Sequence, residues 1–179
     1  MSAMSGGKLH GQSLPKSPTA NVLFVCTGNI CRSPTAECVF RALVARARLD
    51  TGIAMDSAAT HDYQIGQPPD PRAVDAALRR GYSFGDHLAR QVEASDFIRF
   101  NWILAMDRHN LAALRLLQPE TYDGRLALFL DFAPQLTLRE VPDPYLGTPE
   151  DFERVLDMAE RGAAALLDAV RAELAPRAL

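Results

Sequence analysis

The stretch 21-NVLFVCTGNICRSPTAECVFR-41 decides the fold, because its hydrophobic period changes within a few residues. Val22 to Val25 is a run of β-branched and aromatic apolar residues, which predicts a buried strand. Cys26, Thr27, Gly28, Asn29, Ile30, Cys31 and Arg32 follow as a loop, and Ser33, Pro34 and an apolar-periodic helix come next. Ser33 before Pro34 predicts the helix start: serine caps free backbone N–H groups, and proline at the first helical position forfeits no hydrogen bond. A loop of N–H groups between a strand end and a helix N-terminus binds anions.

The residues in that loop supply chemistry. A cysteine facing inward N–H dipoles, a helix N-terminus and a guanidinium is favoured as the thiolate, its nucleophilic form. Arg32 carries a planar fork of donors that matches two oxygens of a tetrahedral oxyanion. Gly28 is expected to permit a tight turn, and Asn29 to tolerate a left-handed conformation. The spacing Cys-x5-Arg alone is weak, since Cys26 also fits a small buried hydrophobe at a strand end. The ordered string of strand, Cys26, Gly28-Asn29, Arg32, Ser33-Pro34 and helix is specific.

Outward from this stretch, strands and helices alternate. Residues 53–58, IAMDSA, read as a second strand after a first helix that ends near Arg48 to Leu49. His61 to Pro71 is a loop broken by prolines, and Asp70 is placed to cap a helix running to Arg80, with Val74, Ala77 and Leu78 on its buried face and Gly81 as its stop. Trp102 to Met106 is a third apolar run, Arg108 to Leu117 a helix, and Leu126 to Leu130 a fourth strand. From Pro149 on, Phe152, Val155, Leu156, Ala159, Leu166, Leu167 and Val170 recur at helical spacing. The order predicts a single-domain α/β fold, a four-stranded parallel sheet with helices on both faces, whose ligand site lies at the strand carboxyl ends.

Composition sets outer limits. The 179 residues suit one domain, with 47% hydrophobic and 23% charged residues and a net charge of −3. No basic surface is available for nucleic acid or an anionic membrane. Residues 1–20 are polar and rich in Gly, Ser and Pro, which predicts a disordered tail before a domain over 21–175. No run approaches the roughly twenty apolar residues that span a bilayer. Three cysteines, two of them in one loop, point to a reducing compartment, with the cytoplasm as the expected location. His10, His61, His87 and His109 lack metal-ligand spacing, so neither metal nor cofactor is expected.

The string VLFVCTGNICRSPTAE resembles the signature of the low-molecular-weight protein tyrosine phosphatases. Further matches are DSAAT (Asp56 to Thr60), GQPPDPRAV (Gly66 to Val74), ARQV (Ala89 to Val92), AMDRHNL (Ala105 to Leu111) and DPYLG (Asp143 to Gly147), so the likeness covers Val22 to Ala172. The resemblance implies a flavodoxin-like fold and hydrolysis of phosphotyrosine through a cysteinyl-phosphate. Cys26 would be nucleophile, Arg32 and residues 27–31 with Ser33 the phosphate loop, and Asp143 the acid and then base. It also implies Tyr63 and Tyr145 as walls for the substrate ring, Ser57 and Asp107 as supports of the loop, and tyrosine-phosphorylated proteins, kinases among them, as partners.

Some of these residues have plainer readings. Asp143 could simply start a turn before Pro144, Ser33, close enough in sequence for its hydroxyl to donate to the thiolate, could instead be a helix cap alone, and Tyr63 and Tyr145 could be ordinary loop aromatics. In the family a neighbour such as Cys31 forms a reversible disulfide with the nucleophile, although Cys31 fits equally a small residue packed under the loop. Cys38 reads as core. The sequence departs from the family at Arg80, where many relatives have histidine, at Ala59, usually glycine, and at Leu146, often a second tyrosine. The alternatives are a thioredoxin-coupled arsenate reductase of the same fold, which needs cysteines that are absent after Cys38, and a non-catalytic phosphotyrosine-binding adaptor.

Overall fold

In a computed structural model, residues 19–175 are described. They run β1 (Ala20–Cys26), α1 (Arg32–Arg46), β2 (Ile53–Ala59), α2 (Pro71–Arg79), α3 (Asp96–Arg99), β3 (Trp102–Ala105), α4 (Arg108–Leu117), β4 (Arg125–Leu128) and α5 (Pro149–Leu174), with a 3₁₀ turn over Phe129–Phe132. The strands form one sheet in the order β2-β1-β3-β4. All three pairings are parallel, with Cys26 opposite Ala59 and Val25 opposite Ala105. The tail expected over residues 1–20 lies outside the described residues except for Thr19 and Ala20, and Ala20 already pairs with Ile53.

β1 is central and covered on both faces, which is why its sequence is a continuous apolar run with no alternation. Phe24 points to the side packed by α1 and α5, where it meets the rings of Phe40 and Phe129 edge-on at 5.6 and 5.5 Å. Leu23 and Val25 face the other side, against Phe97, Leu111 and Leu114. Gly162 lets α5 cross close to the 3₁₀ turn, since a Cβ there would come within 2.6 Å of the Phe129 ring.

Several expected boundaries shift for local reasons. The fourth strand stops at Leu128, not Leu130, because the Asp131 carboxylate accepts the Leu128 N–H and winds Phe129–Phe132 into the 3₁₀ turn. α1 ends at Arg46, where Arg48 takes a left-handed φ of 56° and Leu49 N–H donates to Val44 O. On α2 the buried face is Ala73, Ala76 and Ala77, while Val74 is half-buried and Leu78 is exposed. Small residues let that helix lie close to α5. The four-residue α3 falls in a stretch whose helical signal is too short to read.

Candidate active site

The loop between β1 and α1 is closed by hydrogen bonds rather than by a capping serine. α1 begins at Arg32, one residue before Ser33, and its N-cap Cys31 makes no side-chain capping bond. The Ser33 hydroxyl points back to Cys26 Sγ at 3.0 Å. The expected helix cap at Ser33 is therefore corrected, because the loop closes one residue early and turns that hydroxyl onto the sulfur. Asn29 N–H also donates to Sγ, at 3.2 Å.

Asn29 organises the loop. Its φ is 58°, the left-handed conformation expected of it. Nδ2 donates to Ser33 Oγ and to Ser57 Oγ, both at 2.9 Å, and Oδ1 accepts from Arg90 N–H at 3.0 Å. Because Ser33 Oγ already accepts from Asn29, its single proton is free for the sulfur, which lies nearer than its other acceptor, Ala58 O at 3.4 Å. Ser57 in turn donates to buried Glu37 at 2.6 Å. Gly28 has a different reason from the one expected. Its φ is not positive, but a Cβ there would press on the Gln64 side chain at 3.2 Å.

Arg32 is buried and held on three sides. Nη1 donates to Asp107 at 2.6 Å and to Val141 O at 3.1 Å, while Nη2 donates to Thr27 Oγ1 at 3.1 Å and to Asp143 at 3.0 Å. Burial opposes its charge, but Cys26, Asp143 and Asp107 outweigh that and raise its pKa above the usual arginine value. Asp107 has two tasks, since its other oxygen caps α4 by accepting Asn110 N–H at 2.7 Å. Asp143 lies on irregular backbone between the 3₁₀ turn and α5, and its side chain is 49% exposed.

Cys26 and its loop, Tyr63, Gln64, Asp143 and Tyr145 together line a cavity of about 180 Å³. Every residue expected in the site is thus in the cavity wall or, for Ser33, Ser57 and Asp107, bonded directly to a residue that is. Both tyrosines are exposed at the cavity mouth, and Tyr63 packs on His61 with centroids 5.1 Å apart. Cys31 and Cys38 are buried free thiols. Burial pushes both up, Cys38 to about 12 and Cys31 further, with Asp70 adding to the effect on Cys31.

Sequence reasoning passed over four contributors. Glu37 reads as an ordinary helix charge, His87 as a scattered histidine, Asn110 as a helix residue and Gln64 as loop. In the fold His87 Nε2 lies 3.0 Å from Asn29 O, and Asn110 and Thr27 side chains meet at 3.1 Å. Arg80 stands apart from the loop and pairs with Glu153, Asp157 and Glu160 of α5.

The geometry agrees with comparisons to known proteins. The profile of the family described as low molecular weight phosphotyrosine protein phosphatase matches residues 21–176. The human protein of that name is 41% identical over 157 residues, covering 87% of this chain and 98% of its own. The low molecular weight protein-tyrosine-phosphatase of Streptomyces coelicolor is 42% identical over 163 residues, covering 89% and 99%. Among solved structures, a protein tyrosine phosphatase from Entamoeba histolytica with Hepes in the active site superposes with a TM-score of 0.82 at 37% identity, over 87% of this chain and 99% of that one. A strand–loop–helix motif holding a cysteine and an arginine, in a four-stranded parallel sheet, accordingly has its relatives in one place: the chain belongs to the low molecular weight phosphotyrosine protein phosphatase family.

Proposed function

We propose that this protein-tyrosine phosphatase cleaves its substrate in two steps through a phosphocysteine on Cys26. In the first, Cys26 Sγ attacks phosphorus, the S–P bond forms and the bond to the aryl oxygen breaks. Asp143 gives its proton to the departing phenoxide. In the second, water attacks phosphorus, Asp143 takes a proton from it, the S–P bond breaks and inorganic phosphate leaves with the thiolate restored.

The observation that carries this reading is that Asp143, more than a hundred residues further along the chain, shares one small cavity with Cys26 and Arg32 of the β1–α1 loop. Arg32 and the N–H groups of residues 27–32 are assigned to the phosphoryl oxygens. Ser33 and Asn29 donate to the sulfur, which stabilises the anion both before attack and when the intermediate breaks down. Asp107 fixes the Arg32 fork, and Ser57 fixes Asn29. Tyr63 and Tyr145 are assigned to the substrate ring. Arsenate reduction is not favoured, since no cysteine follows Cys38 to carry electrons onward.

Residues 21–175 form the phosphatase domain in this reading, and its substrates are proteins carrying phosphotyrosine, tyrosine-autophosphorylating kinases being one class. Three free thiols fit a reducing cytoplasm. No described helix is long and apolar enough to cross a membrane.

The test is rapid quenching during turnover of a phosphotyrosine peptide, followed by mass spectrometry. A phosphate adduct should appear on the peptide that contains Cys26 and be missing in Cys26→Ser. Turnover with no adduct, or an adduct on another residue, overturns the mechanism.

A further inference from the structure

We propose that Arg72 is the positioning residue for the acid: its guanidinium ties the loop carrying Asp143 to the phosphate loop, and so sets where the carboxyl meets the leaving group. The proposal rests on Asp143 being the proton donor, as read above.

Arg72 is the second residue of α2, and its side chain bridges two loops that are far apart in sequence. Nε and Nη2 grip the Asp70 carboxylate as a fork, at 3.0 and 2.8 Å. Nη2 also donates to Tyr145 O at 2.9 Å, and Nη1 to Gly147 O at 3.2 Å. The guanidinium lies over the Phe152 ring at 4.4 Å, which holds its plane. Behind it, Asp70 is 7% exposed and its backbone N–H donates to Ile30 O at 2.8 Å, inside the phosphate loop. Ahead of it, Tyr145 N–H donates to Asp143 Oδ1 at 3.2 Å. One unbroken run of hydrogen bonds thus leads from the loop that holds the sulfur to the carboxyl that holds the proton.

Arg72 is needed in this run because Asp143 has little else. Its side chain touches Arg32 and the Tyr145 amide, on backbone without regular structure. A capping role alone would leave Arg72 unconnected to Tyr145 and Gly147. Its hydrogen bonds also hold the Asp70 carboxyl below the usual carboxylate range, so the fork stays charged on both sides at neutral pH. Lysine, a point charge, could pair with Asp70 but could not serve the fork and both carbonyls together.

The test separates proton donation from general damage by varying the leaving group. Phenyl phosphate needs a proton on its departing oxygen, whereas 2,4-dinitrophenyl phosphate does not. Arg72→Ala should lower kcat/KM for phenyl phosphate by about 10- to 100-fold and for the dinitrophenyl ester by no more than about threefold. In an Asp143→Asn background the same substitution should have no further effect on phenyl phosphate. Arg72→Lys should show the same selectivity with a smaller loss, and it carries the test should Arg72→Ala fail to fold. Equal losses on both esters, no loss, or a loss that persists in the Asp143→Asn background overturns the proposal. If Asp143→Asn by itself treats both esters alike, the acid assignment fails before Arg72 is touched, and this proposal fails with it.

Discussion

Asn29 in the Cys26–Arg32 loop is fully buried with its side-chain amide bonded to Ser33, Ser57 and Arg90, whereas across the cavity the Asp143 carboxylate is 49% exposed and holds one amide and one guanidinium nitrogen. The first loop must present its dipoles to charge that develops in a fixed place, and reorganisation there would weaken them. In the proposed mechanism the second admits a substrate ring, donates a proton and later admits water. The loop assigned to stabilising charge is built like core, and the loop assigned to proton transfer is built like surface.

The sharpest way to break this contrast is at the sulfur. Cys26→Ser should abolish turnover of an aryl phosphate while the far-ultraviolet circular dichroism stays unchanged, because the swap is nearly isosteric and removes only the sulfur nucleophile. Near-normal turnover in that variant would remove the nucleophile from the account. The other thiols supply the control. Burial raises Cys31 and Cys38, so at pH 8 both are protonated and inert, and their reactive anions appear only well above that pH. Iodoacetamide at pH 8 should give one adduct, on the Cys26 peptide, with activity lost in step. Labelling of Cys31 or Cys38 at a comparable rate would show that the loop opens.

Next in size is Asp143, the proposed acid. Asp143→Asn should lower kcat by roughly 10²-fold and change stability by no more than about 0.5 kcal/mol, as befits an exposed position. Asn29→Ala should do what Asp143→Asn does not. It leaves Ser33, Ser57 and the Arg90 amide short of a buried partner, which costs on the order of 1–3 kcal/mol for an unsatisfied group. Urea unfolding of the two variants side by side checks the contrast. A stable Asn29→Ala, or an unstable Asp143→Asn, would reverse the roles assigned to the two loops.

The same contrast explains what was legible in the sequence. The first loop is local: Cys26, Asn29, Arg32 and Ser33 lie within eight residues, flanked by a strand and a helix with strong periodic signals. Asp143 has no such signal of its own, and only the family likeness of DPYLG singles it out. Supports that act across the fold were invisible for a physical reason. Glu37 reaches Ser57 over 20 residues, and His87 reaches Asn29 over 58. Neither spacing leaves a periodic trace. Ser33 had two readings, a helix cap and a donor to the sulfur, and the structure takes the second because the loop closes one residue early.

The smallest expected effect concerns Arg80, the position where many relatives have histidine. In the fold that position faces α5, and Arg80 meets Glu153, Asp157 and Glu160 at 2.6 to 2.9 Å with its side chain 29% exposed. Arg80→Ala should therefore leave kcat and KM unchanged. Partly exposed pairs are screened, so the loss of stability should be no more than about 1 kcal/mol at pH 7. Hydrogen bonds from Arg79 and then Arg80 hold Glu153 below the ordinary glutamate value of 4.5. A depressed carboxylate adds stability above its unfolded pKa and loses it as pH falls through the folded one. The difference between wild type and Arg80→Ala should then be full at neutral pH and shrink below about pH 4.5. Thermal unfolding at pH 7 and pH 4 measures both ends. A fall in kcat instead would mean that the α2–α5 contact reaches the loop after all, through the same helix whose first turn holds Arg72.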